Sequence, residues 1–131
     1  MKLIQLKFSD RMRDLIQYAK KSATCRREQK GNTGDIFLVE NRVYRITQVN
    51  QIFMADACDL FHEAEGFNDP EEMITALKEY YPGIMSSDLM YIHHFAFWNY
   101  TFGECDLCPL DELHPCPFYD NSCPGMIHPV R

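Results

Sequence analysis

Residues 20–27, with the sequence KKSATCRR, place four cations and two hydroxyl groups within eight positions. The stretch follows a segment with helical spacing and is predicted to form a β-strand, in which alternate side chains point to one face. Ser22, Thr24 and Arg26 would then share a face, and a bend before the strand would bring Lys21 beside Thr24. A hydroxyl flanked by cations can hold an anion or act as an activated nucleophile. The same pattern also fits a solvated edge strand whose charges prevent pairing with another chain.

The residues before this stretch predict a strand and a helix. Residues 2–8 alternate between polar and apolar side chains, and the apolar face of the predicted strand carries Ile4, Leu6 and Phe8. Ser9 is a suitable N-cap for a helix that is expected to end near Lys20. The core-facing residues of this helix are expected at helical spacing, at Met12, Leu15, Ile16 and Ala19.

The middle of the chain predicts a β-hairpin, and an apolar run later in the chain predicts one more strand. Residues 28–34 are rich in Gly and Asn and are interpreted as a loop. Strands at residues 35–40 and 43–53 are expected to be joined by a two-residue turn at Asn41-Arg42. Residues 89–98, LMYIHHFAFW, predict a central strand, because both of its faces are apolar.

Two helices are predicted between the hairpin and the last strand. The first covers residues 55–64 and is expected to be closed by Gly66, since glycine commonly follows a helix end. Asp69 and Pro70 provide a cap and a first-turn proline for the second helix, which Pro82-Gly83 ends. The element order predicts an α+β domain over residues 1–98, with a small, mostly antiparallel β-barrel and flanking helices. Residues 99–131 form an irregular Cys- and Pro-rich segment in this interpretation.

Several of these motifs, taken in order, resemble the ASCH domain family. The resemblance covers residues 2 to about 98 and is carried by the basic stretch, Gly34-Asp35, Glu65-Gly66-Phe67, Tyr81-Pro82-Gly83 and the final apolar strand. It implies a PUA-like β-barrel fold and an association with RNA. Within the family, the small bacterial N4-acetylcytidine amidohydrolases carry a Lys-x-x-Thr element, an Arg two residues later and a downstream Glu.

This chain matches that amidohydrolase pattern at Lys21, Thr24, Arg26 and Glu65. It departs from the pattern at Ala19, where glycine is common, and its Cys-rich tail has no counterpart there. The resemblance implies that the protein recognises RNA or a modified nucleoside and hydrolyses an N4-acyl amide such as N4-acetylcytidine, with no cofactor required. An RNA-binding module without turnover is the alternative.

In the enzymatic interpretation, each matched residue has a chemical role. Thr24 Oγ attacks the acyl carbon, Lys21 accepts its proton, and Glu65 relays a proton to the leaving amine or activates a water. The predicted substrate-binding residues, which would hold a phosphate or an oxyanion, are Lys20, Ser22 and Arg26. The structural alternatives are a Thr24 hydroxyl bonded to the backbone and a Glu65 carboxylate in solvent at a helix end. His93 and His94 are adjacent in the last strand, so one is expected in the core and the other exposed.

Composition limits the compartment and the partners. The chain has 131 residues, a net charge of −6 and no apolar run of about 20 residues, the length that a membrane span needs. We therefore expect a cytoplasmic protein without a membrane partner. Residues 1–53 carry a charge of +6 and residues 54–131 a charge of −12. This balance argues against nonspecific binding to DNA but leaves room for a local anion-binding face.

The Cys-rich tail predicts a metal site. Four thiols, which would bind zinc as four thiolates, occur within 19 residues, at Cys105, Cys108, Cys116 and Cys123. His114 or His128 could replace one of them. An iron–sulfur cluster is less favoured because the ferredoxin spacing is absent, and a tail without metal, serving as a protein-interaction surface, is the further alternative. Cys25 and Cys58 lie apart from this group and are expected to be buried thiols.

Overall fold

Four strands and three helices make up residues 1–100, the part of the chain that the computed structural model describes. The helices are α1 (Asp10–Gln17), α2 (Met54–Phe61) and α3 (Pro70–Tyr80). The strands are β1 (Ala23–Arg26), β2 (Ile36–Val39), β3 (Arg42–Phe53) and β4 (Leu89–Tyr100). Strand β4 thus continues two residues beyond the predicted domain boundary, and nearly all of the predicted Cys- and Pro-rich tail lies outside the described residues.

The strands form one antiparallel sheet with the order β1-β4-β3-β2. Two register shifts in the long β3–β4 pairing leave Trp98 and Thr47 as extra residues on their strands. Such bulges increase the twist of a sheet, and this sheet curls into half of a barrel. The predicted α+β class with an antiparallel barrel-like sheet and flanking helices is confirmed, as is the central position of the last strand.

The predicted strand at residues 2–8 is wrong as regular structure. Its contact with β2 is a single parallel bridge between Leu3 and Ile36. Beyond this bridge the segment makes no regular backbone pairing, and its Phe8 ring packs against the rings of Phe37 on β2 and Phe95 on β4, 5.9 and 6.4 Å away between centroids. Leu6 is buried as expected. Alternation of apolar side chains therefore identified a half-buried segment but not its lack of strand partners.

The transition from α1 into the basic stretch also differs from the prediction. Ser9 caps α1 as expected, with its Oγ accepting from Met12 N at 3.3 Å, but the helix ends at Gln17. Ala19 lies beyond that end with a φ of 61° and is exposed, so its predicted core position is wrong. Glycine would adopt this left-handed φ without strain, whereas alanine adopts it at a cost in backbone energy. Regular β pairing starts only at Ala23, three residues later than predicted.

The hairpin turn is one residue earlier than predicted. Val39 pairs with Arg42, so Glu40 and Asn41 form the two-residue turn, and Glu40 takes the left-handed φ of 56°. Arg42 is already the first residue of β3. The spacing of the two apolar runs located the hairpin, while the register across it set the turn residues.

The predicted start of α3 at Asp69 is confirmed, and Gly66 takes the left-handed turn predicted for it, but α2 ends at Phe61, three residues before the predicted end. Asp69 accepts from Glu72 N at 2.8 Å and Pro70 opens α3. Gly66 has a φ of 91°, and the amides of Gly66 and Phe67 donate to the carbonyls of Glu63 and His62. This bond pair is the Schellman pattern that closes a helix with a left-handed glycine. The turn after α2 is thereby fixed, and Glu65 is the last residue before the glycine.

Gly66→Ala is predicted to destabilise the protein more than Gly83→Ala. Both glycines have φ near 90°, so both substitutions place an L side chain in the left-handed region at a cost of about 1–2 kcal/mol. A Cβ at Gly66 also lies 2.9 Å from Leu15 Cδ1, whereas a Cβ at Gly83 meets nothing within 4 Å. Overpacking at Gly66 adds about 1 kcal/mol, the low end of the usual range, because the atom that must shift is the end of the Leu15 side chain. Urea unfolding of both variants measures the difference, and equal losses would show that the close packing of Gly66 is unimportant.

Candidate functional site

A cavity of about 470 Å³ lies between the N-terminal segment, α1, β1 and α3. Its lining combines charged, hydroxyl, aromatic and aliphatic side chains: Lys7, Phe8, Ser9, Met12, Lys21, Thr24, Cys25, Arg26, Glu65, Phe67, Ala76, Leu77, Tyr80 and Tyr81. Four of the predicted site residues, Lys21, Thr24, Arg26 and Glu65, therefore share one cavity. We call it the central cavity.

Lys21 and Glu65 form a buried ion pair in this cavity. Lys21 Nζ lies 2.6 Å from Glu65 Oε1 and also donates to the Glu65 carbonyl at 3.0 Å. Each side chain is only 4% exposed. The alternative of a Glu65 carboxylate in solvent is therefore wrong, because the turn at Gly66 points this residue inward. Burial of two charges is costly unless both are paired and hydrogen-bonded, as they are here.

Glu65 also completes the free edge of β1. Strand β1 pairs with β4 on one side only, and on its other side the carbonyl of Ala64 accepts from the amides of Ser22 and Ala23. Glu65 Oε2 accepts from the amide of Cys25 at 3.0 Å. The segment after α2 thus satisfies edge donors that a fifth strand would otherwise satisfy. The carboxylate has a structural role here as well as a place in the cavity.

Thr24 and Arg26 are joined by a side-chain hydrogen bond. Thr24 is buried, and its Oγ1 accepts from Arg26 Nε at 2.9 Å. Arg26 Nη2 donates to the Lys7 carbonyl at 2.8 Å, and the guanidinium lies 5.1 Å from the centre of the Phe8 ring. The arginine is held from three sides while two of its nitrogen atoms carry further protons for a ligand. Donation to Oγ1 favours the alkoxide form of the threonine.

The other two predicted substrate-binding residues do not line the central cavity. Lys20 is exposed, and its amide donates to the Leu15 carbonyl. Ser22 is exposed and lines a different cavity of about 390 Å³, beside Arg42, Phe95 and Tyr100. Strand alternation fails for these residues because β1 begins only at Ala23. The long Lys21 side chain enters the central cavity from the preceding turn.

The two described cysteines are buried thiols, as predicted. Burial, with the Glu65 charge second, raises the pKa of Cys25 far above its ordinary value, although this residue lines the central cavity. Burial, with Glu65 and Asp59 next, raises the pKa of Cys58 to about 11. Both groups therefore stay protonated at neutral pH, and a thiol is a poor nucleophile. Two aliphatic hydroxyls also line the cavity: Ser9, whose Oγ accepts from the Met12 amide as the α1 cap, and Thr24, which is the predicted nucleophile.

Sequence reasoning missed the aromatic wall of the cavity. The sequence predicts Phe8 on a strand face, contains Phe67 and Tyr81 only within family motifs, and gives no signal for Tyr80. Tyr80 is in fact exposed, while Tyr81 is half-buried, and both line the cavity. No spacing rule links these residues, which come together only when α1, β1 and α3 pack.

The two adjacent histidines of β4 differ in burial, as expected. His93 is wholly buried, whereas His94 is half-buried against the Phe61 ring.

Solved structures share this arrangement of strands and helices. An ASCH domain from Lactobacillus crispatus JV V101 has a TM-score of 0.61 and 17% identity, over 73% of this chain and 78% of that chain. The chain has the ASCH-domain fold. Protein EF3133 from Enterococcus faecalis V583, of the family DUF984, has a TM-score of 0.55 and 23% identity, over 76% and 80% of the two chains. The hypothetical protein PH0355 has a TM-score of 0.61 and 16% identity, over 75% and 100%.

The resemblance to the ASCH domain is thus confirmed for the fold. No family model and no curated protein matches the sequence. Within residues 1–100 of this ASCH-type fold, no group of three or more His, Cys, Asp or Glu side chains is arranged to hold a metal ion. No helix in the same part of the chain has the length and apolar character to cross a membrane. The predicted ligands Cys105, Cys108, Cys116 and Cys123 lie outside the described residues.

Lys21→Met is predicted to destabilise the protein by about 3–5 kcal/mol, because it leaves the Glu65 charge buried without a partner. The double variant Lys21→Met/Glu65→Gln should lose less free energy of unfolding than Lys21→Met. The glutamine side chain carries no charge, and its oxygen can still accept from the backbone N–H of Cys25. Arg11→Met is the matched control, because the Arg11–Glu72 pair at 3.3 Å is largely exposed and is worth about 1 kcal/mol at most. Denaturant unfolding of the three proteins measures these differences. A Lys21→Met variant as stable as the control would contradict the structural role of the pair.

Proposed function

We propose that this protein binds a modified nucleoside in the central cavity and hydrolyses an N4-acyl amide such as N4-acetylcytidine. The observation that carries the proposal is the buried Lys21–Glu65 pair beside Thr24 in a cavity of small-molecule size. A paired amine and carboxylate at a ligand cavity can accept a proton from one part of a bound substrate and donate one to another. The amidohydrolase resemblance supports the same residues.

The size and lining of the cavity support a single nucleoside as ligand. A volume of about 470 Å³ falls within the range of about 300–1,000 Å³ that is usual for small-molecule sites. Phe8, Phe67, Tyr80 and Tyr81 provide ring faces against which a base can stack. Arg26 and Lys7 add positive charge at the same cavity, which suits a phosphate or a developing oxyanion.

The proposed chemistry proceeds through an acyl-threonine. Lys21 passes a proton to Glu65 Oε1 across their 2.6 Å contact, and the neutral amine then takes the proton of the Thr24 hydroxyl. Thr24 Oγ bonds to the acyl carbon, the bond from that carbon to N4 breaks, and Glu65 returns its proton to the leaving amine. Water then attacks the threonine ester and regenerates the hydroxyl. Arg26 stabilises negative charge on the acyl oxygen.

RNA recognition without turnover is the second candidate, and one observation favours it. Both oxygen atoms of the Glu65 carboxylate already have partners, Lys21 and the Cys25 amide, so this residue can be explained by the architecture alone. Lys7, Lys20 and Arg27 are exposed near this part of the chain and could contact phosphates. In that case the cavity would accept a base of an RNA strand without cleaving it.

Thr24→Ala is predicted to abolish hydrolysis while changing nucleoside affinity little. The substitution removes the attacking oxygen, so turnover falls by orders of magnitude, whereas one neutral hydrogen bond contributes only about 1 kcal/mol to binding. Release of cytidine from N4-acetylcytidine and calorimetric affinity are the two measurements. Thr75→Ala is the control, because Thr75 is an exposed α3 residue whose hydroxyl bonds to the Glu71 carbonyl.

The same series separates catalysis from binding alone. Lys21→Ala should lower both turnover and affinity in an enzyme, because it removes a proton carrier and a charge. In a module that only binds RNA, Thr24→Ala should be nearly silent, while Lys21→Ala and Arg26→Ala weaken binding in a salt-dependent way. A wild-type protein that binds RNA tightly and never releases an acyl group would overturn the hydrolase proposal.

For the tail we propose a zinc site formed by Cys105, Cys108, Cys116 and Cys123. The proposal is supported by the four thiols within 19 residues of a Pro-rich segment that has few residues able to form a hydrophobic core. In such a segment a bound metal would supply the folding energy. A strong chelator is expected to make residues 101–131 protease-sensitive while residues 1–100 stay protected, since the described core lies before them. Cys108→Ser should lower the bound zinc, and Cys58→Ala should not. Elemental analysis that finds neither zinc nor iron in protein purified without chelator would contradict the site.

A further inference from the structure

His93 is a wholly buried imidazole that the proposed chemistry does not use. It lies on β4 directly opposite Thr24 of β1 in the sheet register. Its Nε2 accepts from the backbone amide of Lys30 at 2.9 Å, and its Nδ1 lies 3.3 Å from the Thr24 carbonyl. Because Nε2 is an acceptor, the ring proton is on Nδ1, where it can be donated to Thr24. The ring therefore joins two backbone groups that are six residues apart in sequence.

We infer that His93 is a positioning residue for the central cavity: as a neutral imidazole it ties the loop after β1 to the strand that carries Thr24 and Arg26. The role for ligand binding rests on the function proposed above. The tie itself is a property of the fold.

Strand β1 is held by β4 and by the segment after α2, whereas the loop that follows it has fewer ties to the sheet. Strand β1 has four residues, and Arg26 at its end bonds to Thr24 Oγ1. In the loop that follows, Gln29 bonds only to Gly31 and Asn32, which are loop neighbours. The ion pair of Arg27 with Asp88 is partly exposed and 3.6 Å long. The bond from Lys30 to the buried His93 ring ties this loop to β4, and at the far end of the loop the Gly34 amide donates to the Ile46 carbonyl of β3. Because the Lys30 bond is the nearer of the two to Arg26, it controls how the chain leaves Arg26.

Protonation of His93 would remove this connection. A proton on Nε2 faces the Lys30 N–H, so an acceptor is replaced by a second donor. Burial lowers the pKa of His93, and the positive charges of Arg26 on β1 and Lys30 in the loop lower it further, while bonds to the Thr24 and Tyr91 backbone oppose the shift. The β3 partner in the register, Val49, carries no charge. The stabilisation by His93 is therefore complete above the ordinary histidine value of 6.5 and is lost as pH falls below it towards the lower pKa of the folded protein.

His93→Gln provides a test, because its side-chain amide can accept from Lys30 and donate to Thr24 without titrating. His93→Phe fills the space but makes neither bond. His94→Gln is the matched control, since His94 is the neighbouring imidazole, its pKa is also lowered by burial, and it contacts Phe61 instead of the loop.

The measurement is two-dimensional NMR of the full chain between pH 7.5 and 5, following hydrogen-exchange protection of the Lys30 amide and the Arg26 Nε–H signal. In the wild type and in His94→Gln, the Lys30 protection and the Arg26 signal should change together on acidification. Lys30 protection should fall by about tenfold or more, because the hydrogen bond from Lys30 to His93 is lost. In His93→Gln both should be independent of pH. N4-acetylcytidine affinity should weaken on acidification in the wild type and stay constant in His93→Gln.

Several results would overturn the inference. If Lys30 loses protection while the Arg26 signal is unchanged, His93 holds the loop but does not position the cavity. If His93→Gln keeps the pH dependence of the wild type, the dependence has another origin. His93→Phe distinguishes these cases only if it folds, so the comparison of wild type with His93→Gln decides. Failure of every variant to bind the nucleoside would count against the proposed function, and the two NMR signals would still decide the role of His93.

Discussion

The free edge of β1 is the constraint around which this domain is arranged. A short strand that pairs on one side only leaves backbone donors on the other, and buried donors must find acceptors. The turn after α2 supplies them through the Ala64 carbonyl and the Glu65 carboxylate. A carboxylate in that position is buried and needs a cation, which Lys21 provides at 2.6 Å. The ion pair is thus a consequence of how the sheet ends.

This arrangement places reactive groups where a cavity also forms. Helices α1 and α3 cover β1 without filling the space above Thr24, and aromatic side chains from three separate segments line the remaining volume. The same ion pair that completes the strand edge therefore also lines the cavity. The chemical role proposed for Glu65 is compatible with its structural role, because a carboxylate held by a backbone amide through one oxygen can still exchange a proton through the other.

The first and second halves of the chain contribute differently to the cavity. The cations Lys7, Lys21 and Arg26 come from the basic first half, and Glu65 with the tyrosines comes from the acidic second half. Since Lys21 and Glu65 neutralise each other, the lining keeps the positive charges of Arg26 and Lys7. The overall charge of −6 conceals this local excess, which is the property that a ligand with a phosphate or a developing oxyanion would meet.

Sequence patterns alone predicted much of the local structure. Helix signals such as Ser9, Asp69-Pro70 and Gly66 located the α1 and α3 starts and the turn after α2, because capping depends on a few neighbouring residues. Apolar runs located β2, β3 and β4 for the same local reason. Residues 2–8 show the limit, since their alternation predicted a strand although a strand also needs a partner along its length. The convergence of Lys21, Thr24, Arg26 and Glu65 was predicted from a family resemblance and not from spacing.

The sequence by itself determined most of the helices and strands and the kinds of side chain that a site could use. Tertiary structure decided which residues meet: it directed Lys21 into the cavity, left Lys20 and Ser22 outside it, and buried Glu65. Those outcomes depend on the left-handed backbone at Ala19 and Gly66 and on the pairing of β1 with β4, which bring together positions 44 residues apart. Contacts at such separations are set by the packing of whole elements, and no local periodicity encodes them.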